Sequence, residues 1–164
     1  MTSPETKHKL EVTTPSEREI VMTRTLAAPR EVVFDAFTKP ELLKRWLLGP
    51  DGWSMPVCDV DLKTGGAFRY EWRNNADGMQ FGISGVFRDV VRPERTVHLE
   101  TMDGRPGEVL VTTTFVEQDG LTFVTMTQLF SSAEVRDMAL ESGMATGVAK
   151  SYDRLAEMLA SSGA

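Results

Sequence analysis

From Arg18 onward the chain changes hydrophobic period several times, and each change marks an element. Glu19-Ile-Val-Met-Thr-Arg-Thr-Leu26 places Ile20, Met22 and Leu26 on one side at period two, which predicts a first strand. Pro29 suits the first position of a helix, where a missing N–H costs nothing. In Arg30–Phe37, Val32 pairs with Ala36 and Val33 with Phe37 at i, i+4, predicting a short amphipathic helix. Thr38-Lys-Pro-Glu41 repeats the signal, with Pro40 at the start and Glu41 in the first turn, where the helix dipole favours an acid. Leu43, Trp46 and Leu47 then form the stripe of a second short helix, which Gly49-Pro-Asp-Gly52 ends.

Between Trp53 and Phe130 the period is that of strands. Asp-Gly pairs at 51–52, 77–78, 103–104 and 119–120, with Gly65-Gly66 and Arg92-Pro-Glu94, divide this stretch into six strands near 53–62, 67–74, 80–91, 95–102, 108–117 and 121–130. In Ala67–Arg73, Phe68, Tyr70 and Trp72 alternate with Arg69, Glu71 and Arg73, so one face is apolar and the other charged. Strands joined by such short turns must run antiparallel, giving a meander with one buried face. Ser131-Ser-Ala-Glu134 has capping-box spacing and predicts a helix to about Glu141, with a break at Gly143. Met144, Val148, Tyr152, Leu155 and Leu159 then recur at helical spacing, predicting a long terminal helix with one apolar face. Each such side chain stabilises by roughly 1.5–3 kcal/mol when buried, so this helix docks on the sheet. Residues 1–17 are polar and rich in Thr, Ser and Pro. They are expected to be a leader, either disordered or contributing an edge strand through Leu10–Val12, ahead of a single domain over 18–161.

Composition narrows the function. The chain has 164 residues with 18 Lys plus Arg against 24 Asp plus Glu, a net charge of −6, which argues against a protein that grips nucleic-acid phosphates. One Cys and two His exclude an intrachain disulfide and are too few soft ligands for a structural zinc site. No run approaches the roughly 18 apolar residues of a membrane span, and Met1–Ser16 lacks the hydrophobic middle of a signal peptide. The expected location is cytoplasmic, without metal or cofactor.

Candidate chemistry is sparse. Gly65-Gly66 lies between strands, where it serves a turn and not a phosphate loop. Gly82-Ile-Ser-Gly85 is one residue short of a nucleophile elbow. Asp59 and Asp61 share a strand face and read as a solvated edge, Cys58 as a small buried side chain. His98 shares its strand face with Thr96 and Glu100, and no spacing identifies a partner that would hold its tautomer, so it reads as a structural or surface residue. Three Trp, two Tyr, eight Phe and nine Met remain. Most belong to a core, but Tyr70 and Tyr152 carry hydroxyls that need a partner when buried, from the protein, water or a ligand.

Five motifs in order carry a family resemblance: Arg24-Thr-Leu-Ala-Ala-Pro-Arg-Glu-Val-Val-Phe34, Thr38-Lys-Pro-Glu-Leu-Leu-Lys-Arg-Trp46, Asp61-Leu-Lys-Thr-Gly-Gly-Ala-Phe-Arg69, Gly85-Val-Phe-Arg-Asp-Val-Val-Arg-Pro-Glu-Arg95 and Ser142-Gly-Met-Ala-Thr-Gly-Val-Ala-Lys-Ser-Tyr-Asp-Arg-Leu155. From about residue 18 to 160 the chain resembles the SRPBCC (START-like) superfamily, in the branch named for homology to the C-terminal domain of the activator of the ninety-kilodalton heat-shock protein ATPase. The resemblance implies an α+β helix-grip fold: a seven-stranded curved antiparallel sheet wrapped around the long C-terminal helix, with two short helices after the first strand. It also implies a cavity for an apolar or amphipathic molecule between sheet and helix. Two departures stand out. Trp46-Leu47 replaces a double aromatic, which reshapes the cavity mouth, and Lys63 replaces an Arg, which weakens a bidentate ion pair.

The expected function is therefore binding of a small hydrophobic or amphipathic ligand. Candidate contacts are Trp46, Trp53, Tyr70, Trp72, Phe81, His98, Met144, Val148 and Tyr152. A chaperone-partner module is the alternative, and a cofactor-free cyclase-, aromatase- or hydrolase-like enzyme a second one, in which Tyr152 or His98 would act. No catalytic residue is assigned, and the chain is expected to be a monomer or homodimer.

Overall fold

The alternation along each strand becomes one concave apolar face in three dimensions. The computed structural model describes residues 9–105 and 107–161. The elements are β1 (Glu11–Thr13), β2 (Glu19–Leu26), α1 (Arg30–Thr38), α2 (Pro40–Trp46), β3 (Trp53–Val60), β4 (Ala67–Asn74), β5 (Gln80–Val91), β6 (Arg95–Met102), β7 (Val109–Gln118), β8 (Leu121–Leu129), α3 (Ala133–Glu141) and α4 (Met144–Ser161). The strands form one antiparallel sheet in the order β1-β2-β8-β7-β6-β5-β4-β3. This is the α+β helix-grip architecture, with the curved sheet facing the C-terminal helix.

The sheet has eight strands, not seven. Glu11, Val12 and Thr13 pair with Thr23, Met22 and Val21, so the leader shields what would otherwise be an open edge at β2. Residues 1–8 of that leader lie outside the described residues. Two helix starts also differ from expectation. Pro29 is the N-cap of α1, with extended backbone (ψ 150°), and its carbonyl accepts from the Val32 and Val33 amides. At α3, the cap is Ser132, whose hydroxyl accepts from the Val135 amide at 3.1 Å. This places Glu134 one position too early for the reciprocal bond of a capping box. Between β7 and β8, Asp119 and Gly120 both have positive φ (55° and 78°), the geometry that lets a two-residue turn follow the strand twist.

Two clusters fill the space between sheet and helices. In the larger, Phe34 of α1 packs edge-on against Phe115 of β7 at 5.3 Å, and Phe37 meets Trp46 of α2 at 4.9 Å. Tyr152 and Leu155 of α4 close this junction. Ile20, Met22 and Phe130 form the smaller cluster, covered by Val135 and Ala139 of α3 and by Met144 and Val148 of α4. Leu155 is fully buried between these layers. Leu155→Ala is expected to destabilise the fold by about 2–5 kcal/mol in urea denaturation, because helix and sheet cannot both relax into the vacated volume.

Candidate ligand-binding site

Residues directly opposite one another in a sheet project from the same face, so the pairing register assigns the inner surface row by row. One row is Cys58, Tyr70, Ile83 and Met102, across β3 to β6. The next holds Val60, Phe68, Gly85 and Glu100, followed by Phe87, His98, Val111 and Gln128. Trp72 and Phe81 form a further row at the other end. Together these rings make a continuous ladder: Trp53 to Phe81 at 5.5 Å, Phe81 to Trp72 stacked at 5.1 Å, Trp72 to Tyr70 at 5.8 Å, Tyr70 to Phe68 at 4.9 Å and Phe68 to His98 at 4.8 Å. Gly85 permits this arrangement, since a Cβ there would meet the Phe68 ring and the Leu99 carbonyl.

The nine expected contacts fall into three groups. Trp53, Tyr70, Trp72, Phe81 and His98 share the ladder. Trp72 is buried, and its indole N–H donates to the Leu47 carbonyl at 2.7 Å, tying the end of α2 to β4. Trp53, Tyr70 and Phe81 are only half-buried. Trp46 and Tyr152 lie instead in the helix junction, 5.7 Å apart, and the Trp46 N–H is held by the Ala36 carbonyl at 2.9 Å. Met144 packs on the smaller cluster, while Val148 touches both.

Polar groups interrupt the apolar face, and most escaped the sequence reading. His98 does have a partner: its Nε2 lies 2.7 Å from Glu100 Oε1, with both side chains mostly buried (16% and 18% exposed). The i, i+2 spacing on a strand carried the signal, but whether two such side chains touch depends on rotamers and not on spacing. Arg24, on β2 beneath α4, is 3% exposed. Its Nη1 donates to Asp153 at 2.7 Å, while Nε and Nη2 are buried without a partner. Gln128 Oε1 is likewise buried and unpaired. Two phenols, Tyr70 and Tyr152, add hydroxyls to this interior. Burial raises the pKa of both phenols well above the ordinary range, so both hydroxyls are neutral donors at physiological pH.

The remaining candidate side chains have defined surroundings. Burial pushes the Cys58 thiol up to about 11, with the Lys44 charge opposing the shift. Asp59 is paired in register with Arg69, and the Ser84 hydroxyl accepts from Arg69 at 2.8 Å. Arg69 also binds both carboxylate oxygens of Asp103, at 2.9 and 2.6 Å. No cluster of three or more His, Cys, Asp or Glu side chains with metal-binding geometry occurs among the described residues. Two surface hollows lie away from the ladder. One of about 270 Å³ is lined by Thr23, Thr25, Phe123 and Thr125, and one of about 240 Å³ by Leu99, Leu110, Leu129 and Phe130, flanked by Arg18 and Glu108.

Residues 27–160 match the family model described as activator of Hsp90 ATPase homolog 1-like protein. A crystal structure of a Rhodobacter sphaeroides protein is similar at 31% identity and a TM-score of 0.88, covering 93% of this chain and 99% of that one. A Nitrosomonas europaea protein is similar at 26% identity and a TM-score of 0.80 (92% and 99% covered). The solution structure of a Staphylococcus epidermidis protein reaches 27% and 0.78 (91% and 93% covered). A search of curated proteins returns no match.

Two tests follow from these environments. An acid whose pKa rises from 9.0 to about 11 on folding contributes stability that is complete below pH 9 and is lost as the pH rises towards 11. At pH 8 the folded protein should accordingly react with a disulfide reagent on the order of 100-fold more slowly than the urea-unfolded chain, followed by thiol release. At Arg24, a charge is buried with two unpaired nitrogens, so Arg24→Met should leave stability unchanged or raise it. Asp153→Ala strands the guanidinium and should cost about 1–3 kcal/mol, both read by chemical denaturation.

Proposed function

The chain belongs to the activator of Hsp90 ATPase homolog 1-like family, and from that premise we propose that it binds a small apolar or amphipathic molecule on the inner sheet face, beside the first turns of α4. The observation that carries this reading is the half-buried aromatic ladder. A purely structural core would bury Trp53, Tyr70 and Phe81 under a helix, as it does Phe34 and Phe115, yet these rings remain partly open. Small-molecule sites have this composition, with aromatic walls and few polar groups. Tyr70, with a protonated hydroxyl, supplies a polar contact.

A partner-binding, co-chaperone-like role is the second reading, favoured by an apolar row on the opposite face. Val86, Leu99, Leu110 and Leu129 lie side by side across four strands, and Val86 is 44% exposed. Such a row offers a docking strip without any cavity. Its failure would show as unchanged ATPase rates when the protein is added to the bacterial chaperone homologue.

For the ligand-binding reading, protein purified gently from its own host should carry a bound small molecule in native mass spectrometry. An apolar fluorescent dye should bind the emptied protein, and Phe81→Ala or Trp53→Ala should weaken that binding about 2–10-fold, the worth of one aromatic contact. No bound species together with no dye binding would sink the proposal.

A further inference from the structure

On the outer face, away from the ladder, the strand register lines up three rows of side chains across β1, β2, β8, β7 and β6. The middle row runs Glu11, Thr23, Thr125, Thr114, Arg95. One flanking row is Thr13, Val21, Thr127, Thr112, Val97, and the other is Thr25, Phe123, Val116. Each row is centred on a residue of β8. Thr and Val have the same shape, so the face looks alike on both sides of that strand, except that the middle row ends in opposite charges.

From this pattern we infer that the face is a contact between two copies of the chain, related by a two-fold axis that lies in the contact plane along β8. Such an axis sets the β6 side of one copy over the β1 side of the other, and the same pairs form twice. Arg95 then meets Glu11 of the second copy, Thr114 meets Thr23, and Phe123 meets its own counterpart. Arg95 and Glu11 are both exposed. The Arg95 Nε donates to Asp89 at 2.8 Å, and the guanidinium keeps further donors for a second carboxylate. Val116, 56% exposed, comes over Thr25 and the hollow of about 270 Å³ that Thr23, Thr25, Phe123 and Thr125 line.

Charge favours a second copy over an unlike partner. A chain of net charge −6 repels its own copy over most of its surface. In these rows the charges are Glu11 and Arg95 alone, which cancel, and the two-fold operation opposes them without help from another sequence. Five strands and three rows cover roughly 24 Å by 20 Å, ~500 Å² per copy. The total of ~1,000 Å² lies at the low end of specific interfaces, so the dimer is reversible. The contact adjoins the row of Val86, Leu99, Leu110 and Leu129 without using it, and it does not depend on a ligand on the inner face.

Sedimentation velocity of the full chain between ~2 and ~500 μM should show monomer converting to dimer, with a midpoint on the order of 50 μM. Val116→Asp places a carboxylate in the contact twice and should weaken it about 10-fold or more. Glu11→Arg and Arg95→Glu should each weaken it about 5–10-fold, and the double variant should return to within about 3-fold of wild type. Circular dichroism of the variants separates loss of contact from loss of fold. In wild-type protein, dilution should move the amide signals of Thr23, Thr114, Phe123 and Thr125 and leave those of Tyr70 and Trp72 in place. A dimer that Val116→Asp leaves intact, or charge reversals that the double variant does not rescue, would overturn the inference. So would a chain still monomeric at ~500 μM, which would leave this face to a different protein or to solvent.

Discussion

The structure depends on a mismatch of widths. Eight strands about 4.8 Å apart span about 34 Å, whereas a helix with its side chains is about 10–12 Å across. One helix cannot cover such a face, even when the sheet curls around it. The stripe of Tyr152, Leu155, Met158 and Leu159 on α4 is buried, and the short helices α1 and α2 extend the cover through Phe34, Phe37 and Trp46. What remains of the inner face, over β3 to β6, has to be covered by its own side chains. Large flat rings suit that task, and Trp53, Phe81, Trp72, Tyr70 and Phe68 lie ring against ring along it.

Polar groups on this face mark where covering is incomplete. Arg24 is held to α4 by one bond to Asp153, at the expense of two unpaired nitrogens. His98 and Glu100 pair with each other at 2.7 Å within an otherwise apolar surface. A face evolved only to seal a core would be better served by aliphatic residues at these positions. The outer face differs in kind. There Arg69 links Glu71, Ser84 and Asp103 in one network, and apolar side chains such as Val86, Val116 and Phe123 face solvent.

Membership of the family accounts for the architecture and leaves the chemistry open, because folds of this type present a surface and not a fixed set of reactive groups. Similarity at 31% identity and a TM-score of 0.88 over almost the whole of both chains fits that picture. Between the ladder rings lie a glycine beneath Phe68 and a carboxylate beside His98.

Much of this was legible in the amino-acid sequence because it is local. Period-two alternation in Ala67–Arg73 named the inner rings, Asp-Gly pairs placed the hairpins, and the stripe from Met144 to Leu159 announced the long helix. The candidate contacts were legible as ring types on a face, but not in their grouping: Trp53, Tyr70, Trp72, Phe81 and His98 share one ladder of ring contacts, while Trp46 and Tyr152 belong to the helix junction. The His98–Glu100 contact depends on rotamers selected by Phe68 and Phe87, and the pairing of β2 with β8 depends on closing the sheet across about a hundred residues. Periodicity is a property of neighbours along the chain and was decided by the sequence alone. Which neighbours meet across the sheet, and which polar groups they leave without partners, was decided only when the curved sheet closed on its helix.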